Sequence, residues 1–195
     1  MHTIVSRWEW RTFGTDFGAA EATFAALEPE LTQESDEVYL LSPGTDAAVK
    51  IRAGLMDIKE LEEVDAAGLQ KWRPAMKETF PLPRSEAYKV CGELRVSAPW
   101  PGTDPFSLDD FLALLAAPER GVRAVAVHKR RLHYTLNGCM IELTEVVAAG
   151  QTVRTLAVEL DDAARVVDTV RELGLLDREN TSYPRWLKAA VGMEA

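Results

Sequence analysis

Val127-His128-Lys129-Arg130-Arg131-Leu132-His133-Tyr134, then Leu136-Asn137-Gly138, then Met140-Ile141-Glu142-Leu143-Thr144-Glu145-Val146 is the stretch on which the fold turns. An Asn-Gly pair between two alternating runs is a strong signal for a tight hairpin, because both central residues of such a turn need a positive φ. Successive strand side chains point to opposite faces. Lys129 and Arg131 therefore share a face with Val125 and Val127, while Glu142 and Thr144 oppose Ile141 and Leu143.

The same pattern extends outward. Trp8 and Trp10 oppose Arg7, Glu9 and Arg11; Val49 and Ile51 oppose Lys50 and Arg52; Met56 and Ile58 oppose Asp57 and Lys59; Leu156 and Val158 oppose Ala157 and Glu159. Strands are expected over about 3–13, 37–42, 47–52, 54–61, 122–134, 138–147 and 153–160, with a further segment at 86–96. Helices are expected from Ser107, an N-cap followed by Asp109 and Asp110, to Ala117 before Pro118; from Asp161-Asp162 to Gly174; from about Pro184 to Val191; and across Phe17–Leu31. Short strands with tight connections imply antiparallel pairing closed into a barrel, an α+β protein whose helices cover the apolar face from outside.

Collecting the charged faces gives seven cations (Arg7, Arg11, Lys50, Arg52, Lys59, Lys129, Arg131) and four anions (Glu9, Asp57, Glu142, Glu159), a surplus of three positive charges. The plain alternative is an ordinary half-exposed sheet whose charged face meets water. If the helices cover the other face, the charges line a barrel interior, and such an interior would repel itself unless an anion were bound there. A phosphate chain suits guanidinium forks and ammonium point charges. The carboxylates then suit a hard divalent ion that prefers oxygen donors.

The rest of the chain bounds this reading. It has 195 residues, 22 Lys+Arg against 31 Asp+Glu, a net charge of −9 and 47% hydrophobic residues. That composition excludes global disorder, and the acidic balance argues against general nucleic-acid binding. Pro99-Trp100-Pro101-Gly102-Thr103-Asp104-Pro105 reads as a loop between halves, yet each half alone would bury its core poorly, so one domain over 1–195 is expected. Cys91 and Cys139 have neither ligand nor disulfide spacing. The start meets charge before it can build a secretory apolar stretch, and the longest apolar run, Phe111–Ala117, is far below the roughly 20 residues of a membrane span, so a cytoplasmic protein is expected. His2, His128 and His133 are too scattered for a triad, and the tryptophans read as packing between strands and helices.

In order and spacing these strands resemble the CYTH superfamily, the triphosphate tunnel metalloenzymes that include thiamine triphosphatases, inorganic triphosphatases and class IV adenylate cyclases. The resemblance covers nearly the whole chain and rests on Val49-Lys50-Ile51-Arg52, Asp57-Ile58-Lys59, the two strands quoted above, Thr155-Leu156-Ala157-Val158-Glu159 and Asn180-Thr181-Ser182-Tyr183-Pro184. It implies an eight-stranded antiparallel tunnel that takes a triphosphate end-on, with cations clamping it and carboxylates holding one or two divalent ions. The departures lie in the metal half. The family's first strand opens Glu-x-Glu-x-Lys, and here it reads Arg7-Trp8-Glu9-Trp10-Arg11; Thr144 and Ala157 stand where two further acids are expected.

What the resemblance implies is a protein that binds a triphosphate-bearing compound or inorganic tri- or polyphosphate and hydrolyses a phosphoanhydride bond with Mg²⁺ or Mn²⁺. Arg11, Lys50, Arg52, Lys59, Lys129 and Arg131 would hold phosphate, with Lys188 on the C-terminal helix as a lid cation. Glu9, Glu142 and Glu159 would hold the metal, with Glu145 or Asp57 as helpers. The rival is a non-catalytic polyphosphate or nucleotide binder that kept the clamp and lost the metal chemistry; a purely structural barrel ranks third. No nucleic-acid or membrane partner is expected.

Overall fold

The computed structural model describes residues 5–97 and 104–193. Eight strands form a closed antiparallel barrel: β1 (Arg7–Gly14), β2 (Leu31–Leu41), β3 (Ala48–Arg52), β4 (Leu55–Val64), β5 (Gln70–Thr79), β6 (Arg123–Leu136), β7 (Cys139–Ala148) and β8 (Gln151–Leu160), hydrogen-bonded in the order β1-β5-β4-β3-β2-β6-β7-β8. Among the described residues five α-helices accompany them: α1 (Ala20–Ala25), α2 (Arg84–Leu94), α3 (Leu108–Leu115), α4 (Ala163–Glu172) and α5 (Tyr183–Ala190). The closed α+β architecture is the one the alternation of the strands implied. The β6–β7 turn has the expected positive φ at both Asn137 (53°) and Gly138 (76°).

The chain divides into two compact units, one made of residues 1–35, 61–73 and 128–182, the other of 36–60, 74–127 and 183–195. In the first, Trp10, Ile141, Leu143, Leu156 and Val158 form one core with Val166, Val170 and Leu173 at the α4 end. Each such buried aliphatic side chain contributes about 1.5–3 kcal/mol relative to exposure. Asp162 caps α4, its Oδ1 accepting from the Arg165 N–H at 3.2 Å. Because α4 covers the apolar face, the opposite face of β1, β7 and β8 is the inner one, and the register sets Glu9 beside Glu159 and Glu142 beside Ala157 there.

In the second unit Val49, Ile51, Met56 and Ile58 pack with Ala87, Val90, Cys91 and Leu94 of α2 and with Phe111 and Leu115 of α3. Ser107 caps α3 as expected, accepting from the Asp110 N–H at 3.1 Å. Opposite this core lies the charged face, on which Lys50 pairs in register with Asp57 and Tyr39, and Arg52 with Glu37.

Three expectations are corrected. Residues 86–96 are not a strand; Ala87, Val90, Cys91 and Leu94 recur at helical spacing and bury one stripe of α2. The helix expected over 17–31 is only α1, and from Leu31 the chain is strand β2. The Glu30 N–H already donates to the His133 carbonyl at 2.8 Å, drawing the chain into the sheet beyond Pro29. Strand β5 was not anticipated, since Pro74 interrupts a segment without clean alternation. Most of the loop expected at 99–105 falls outside the described residues. Both cysteines are free and buried, and burial pushes the Cys91 thiol up to about 11.

Candidate functional site

In the first unit the centre is Arg11, 6% exposed. Its backbone is held at both ends: its N–H donates to Asn180 Oδ1 at 2.8 Å, and its carbonyl accepts from the Thr181 N–H at 2.8 Å. Asn180 in turn donates through Nδ2 to the Gly68 carbonyl at 2.7 Å. So anchored, the guanidinium donates from Nε to Glu9 Oε1 at 2.8 Å and from Nη1 to Glu142 Oε1 at 3.2 Å and Thr155 Oγ1 at 3.4 Å.

Glu142 is the meeting point of this cluster. Besides Arg11 it faces Arg131, whose Nε lies 3.4 Å from Oε2, and it accepts from the Thr144 hydroxyl at 3.1 Å. Arg131 also donates from Nη1 to Ser35 Oγ at 2.7 Å. Lys129, almost fully buried, adds a third positive field on the same carboxylate. Burial alone would raise the Glu142 carboxyl, but the charges of Arg11, Lys129 and Arg131, with the Thr144 hydrogen bond, overcome it and hold the pKa at about 2. Glu159 pairs with Arg7 at 3.4 Å.

Of the residues expected to hold metal, Glu9, Glu142 and Glu159 are thus each engaged by an arginine. Glu145 points from the other face of β7 and pairs with Arg130 at 3.8 Å, so it is no helper of this cluster. Among the described residues no group of three or more His, Cys, Asp or Glu is arranged to hold a metal ion. A divalent ion needs several oxygen donors turned toward it. The carboxylates as placed do not fit one.

The second unit carries a looser cluster. Lys50 Nζ lies 3.4 Å from Glu37 Oε2, 3.9 Å from Asp57 Oδ2 and 5.8 Å from the Tyr39 ring centre. Arg52 Nη1 lies 3.7 Å from Glu37 Oε1, and the register puts Lys59 on this face too, opposite Ala48. Asp57 is buried with Oδ1 lacking a hydrogen-bond partner. From α5, Tyr183 stacks on Tyr39 at 5.7 Å between centroids, while Lys188 Nζ donates to Asp46 Oδ1 at 3.2 Å and to the Thr45 carbonyl. Lys188 is therefore held by Asp46 in the structure.

Sequence reasoning passed over Glu37 and Asn180 as individual residues. Alternation in Glu37-Val38-Tyr39-Leu40 was a usable signal, with Leu40 turned to the α2 core and Glu37 and Tyr39 to the charged face. Trp72 pairs in register with Arg7, so it lies on the charged face rather than in the strand–helix layer, and its buried indole Nε1 lacks a hydrogen-bond partner. That corrects its reading as outer packing; Trp10, with Trp8 against it, does pack with the α4 core.

No family model and no curated protein matches the chain. Solved structures do share its fold. A Hippeastrum protein, a proposed adenylyl cyclase described as revealing a dominant triphosphatase activity, aligns over 97% of this chain and 97% of its own with a TM-score of 0.57 and 14% identity. The PH1012 protein of Pyrococcus horikoshii aligns over 92% of this chain and 98% of its own (TM-score 0.54, 19% identity), and a conserved hypothetical protein of Pyrococcus furiosus covers the same shares (TM-score 0.52, 19% identity). At these identities the likeness is one of fold, the closed barrel that the CYTH resemblance implied.

Proposed function

We propose that the chain binds a triphosphate-bearing compound or an inorganic tri- or polyphosphate through the cations of its inner strand faces. The observation that carries this reading is the convergence of Arg11, Lys129 and Arg131, all nearly buried, on one carboxylate. Three cations gathered on one point are set to hold a multiply charged oxyanion. In the second unit Lys50, Arg52 and Lys59 are proposed as phosphate contacts, and Lys188 as one that exchanges Asp46 for phosphate. The barrel likeness to the Hippeastrum protein, itself described by a triphosphatase activity, supports the same ligand class.

Binding without resident metal chemistry is the reading the carboxylate geometry favours. Hydrolysis of a phosphoanhydride with Mg²⁺ or Mn²⁺ is the second reading, favoured by that same neighbour, and it would require Glu9, Glu142 and Glu159 to leave their arginines. Phosphate release measured with inorganic triphosphate, thiamine triphosphate, ATP and long polyphosphate, each with Mg²⁺, Mn²⁺ or chelator, separates the two. Tight binding without release is the expected outcome; metal-dependent release selects the second.

A further inference from the structure

A buried basic cluster needs a counter-charge, and this one carries its own. Glu142 sits on the inner face of β7, where one oxygen receives Arg11 and Thr144 and the other faces Arg131. A phosphate oxygen would satisfy the same donors: two guanidinium groups, a hydroxyl and the nearby Lys129 ammonium. The residues around it do not favour a metal-ligand reason for its place. Thr144 and Ala157, its neighbours on the inner face, offer no second carboxylate beside it, and Glu9 is turned onto Arg11 Nε at 2.8 Å.

We propose that Glu142 is a built-in stand-in for the ligand's phosphate: a triphosphate arriving without a metal ion exchanges with the Glu142 carboxylate for Arg11 and Arg131. This rests on the triphosphate-binding reading and adds to it the form of ligand, a free polyanion rather than its Mg²⁺ complex. A tethered carboxylate competes at an effective concentration of millimolar or above, so chloride or a single orthophosphate is kept out. A triphosphate spreads its charge over several contacts and can displace it. The carboxylate thereby does two jobs. It holds both arginines in position while the site is empty, and it sets a threshold that weak anions do not pass.

The sign of the effect separates this from a metal-ligand role. A metal ligand changed to Gln weakens metal-assisted binding; a competitor changed to Gln strengthens metal-free binding. Titration calorimetry of inorganic triphosphate into the full chain in EDTA compares the wild type with Glu142→Gln. The expected gain is about tenfold or more, the scale on which one hydrogen bond to a charged group works. Orthophosphate, silent with the wild type, should become measurable. Thr144→Val keeps the charge and the shape but loosens the carboxylate, so a gain of about two- to fivefold is expected there, and it serves if the Gln variant does not fold. Mg²⁺ should leave wild-type affinity unchanged or lower it.

Wild-type binding that is unchanged or weakened in both variants overturns the exchange while leaving triphosphate binding standing. Wild-type binding that appears only with Mg²⁺ overturns it as well. If no variant binds triphosphate with or without Mg²⁺, the ligand class itself falls, and the exchange with it.

Discussion

Arg11 and Arg131 reach their carboxylates at 2.8 to 3.4 Å, whereas Lys50 and Arg52 lie 3.4 to 3.9 Å from theirs. The two clusters have similar ingredients, yet one is knitted and the other is loose. The difference follows partly from side-chain chemistry and partly from burial, since Arg52 is also a guanidinium but is the more exposed side chain. A guanidinium presents donors in a fixed plane and can serve Glu9, Glu142 and Thr155 at once from a single buried Arg11. An ammonium is a point charge on a flexible stem, and Lys50 sits between Glu37 and Asp57 without closing firmly on either. The buried cations around Glu142 are positioned before any ligand arrives; the more exposed Lys50 and Arg52 can turn toward one at little cost.

The knitted cluster should dominate the response to acid. Glu142 has a folded pKa of about 2 against an ordinary 4.5, a depressed value. Its contribution is fully present above pH 4.5 and is lost as pH falls through about 2, because the unfolded chain takes up the proton first. The shift corresponds to about 3 kcal/mol. Urea unfolding followed from pH 5 down to pH 2 should therefore show a steeper loss for the wild type than for Glu142→Gln, by about that amount. Parallel curves would mean that the three cations do not hold this carboxylate in solution.

How much of this was legible in sequence depends on the element. Alternation exposed the inner faces of β1, β3, β4, β6, β7 and β8, since a period of two survives wherever one face packs against helices. It failed at β5, where Pro74 breaks the run and Trp72 puts a large aromatic on the charged side. It also failed at the start of β2, whose residues 31–34 are exposed and carry no apolar stripe. The cations of the inner strand faces could be named from parity alone. Their partners could not: that Glu142 faces two arginines rather than another carboxylate depends on strand order and register, which bring Arg11 of β1 and Arg131 of β6 to β7 from 131 and 11 residues away. The role of Asn180 in fixing Arg11 is likewise a long-range fact, 169 residues apart in sequence.

Ligand binding should divide along the same line. Arg131→Ala removes a buried, pre-positioned cation and is expected to weaken inorganic triphosphate binding by roughly 1.5–3 kcal/mol, the range for hydrogen bonds to charged groups. Arg52, with 30% of its side chain exposed and its nearest carboxylate 3.7 Å away, should lose less on change to Ala, about 1 kcal/mol. Circular dichroism should show both variants folded. Calorimetry with equal losses at the two sites would erase the distinction between knitted and loose clusters, and no loss at either would remove the phosphate clamp.

The smallest effect is expected at Asp57, and it tests the loose cluster from its own side. The carboxylate is 4% exposed, its Oδ1 lacks a hydrogen-bond partner, and Lys50 stands 3.9 Å from Oδ2. Burying a charge is expensive, and attraction at that distance recovers only part of the cost. Glu37 lies nearer to Lys50, at 3.4 Å, and also faces Arg52, so the lysine keeps a counter-charge when Asp57 is neutralised. Asp57→Asn should accordingly change unfolding stability by less than about 1 kcal/mol, in either direction. It should also strengthen triphosphate binding by a small factor, because Lys50 is then shared with one carboxylate instead of two. A loss of several kcal/mol would show that Asp57 holds Lys50 as tightly as Glu142 holds its arginines, and the contrast between the two clusters would then be one of distance alone.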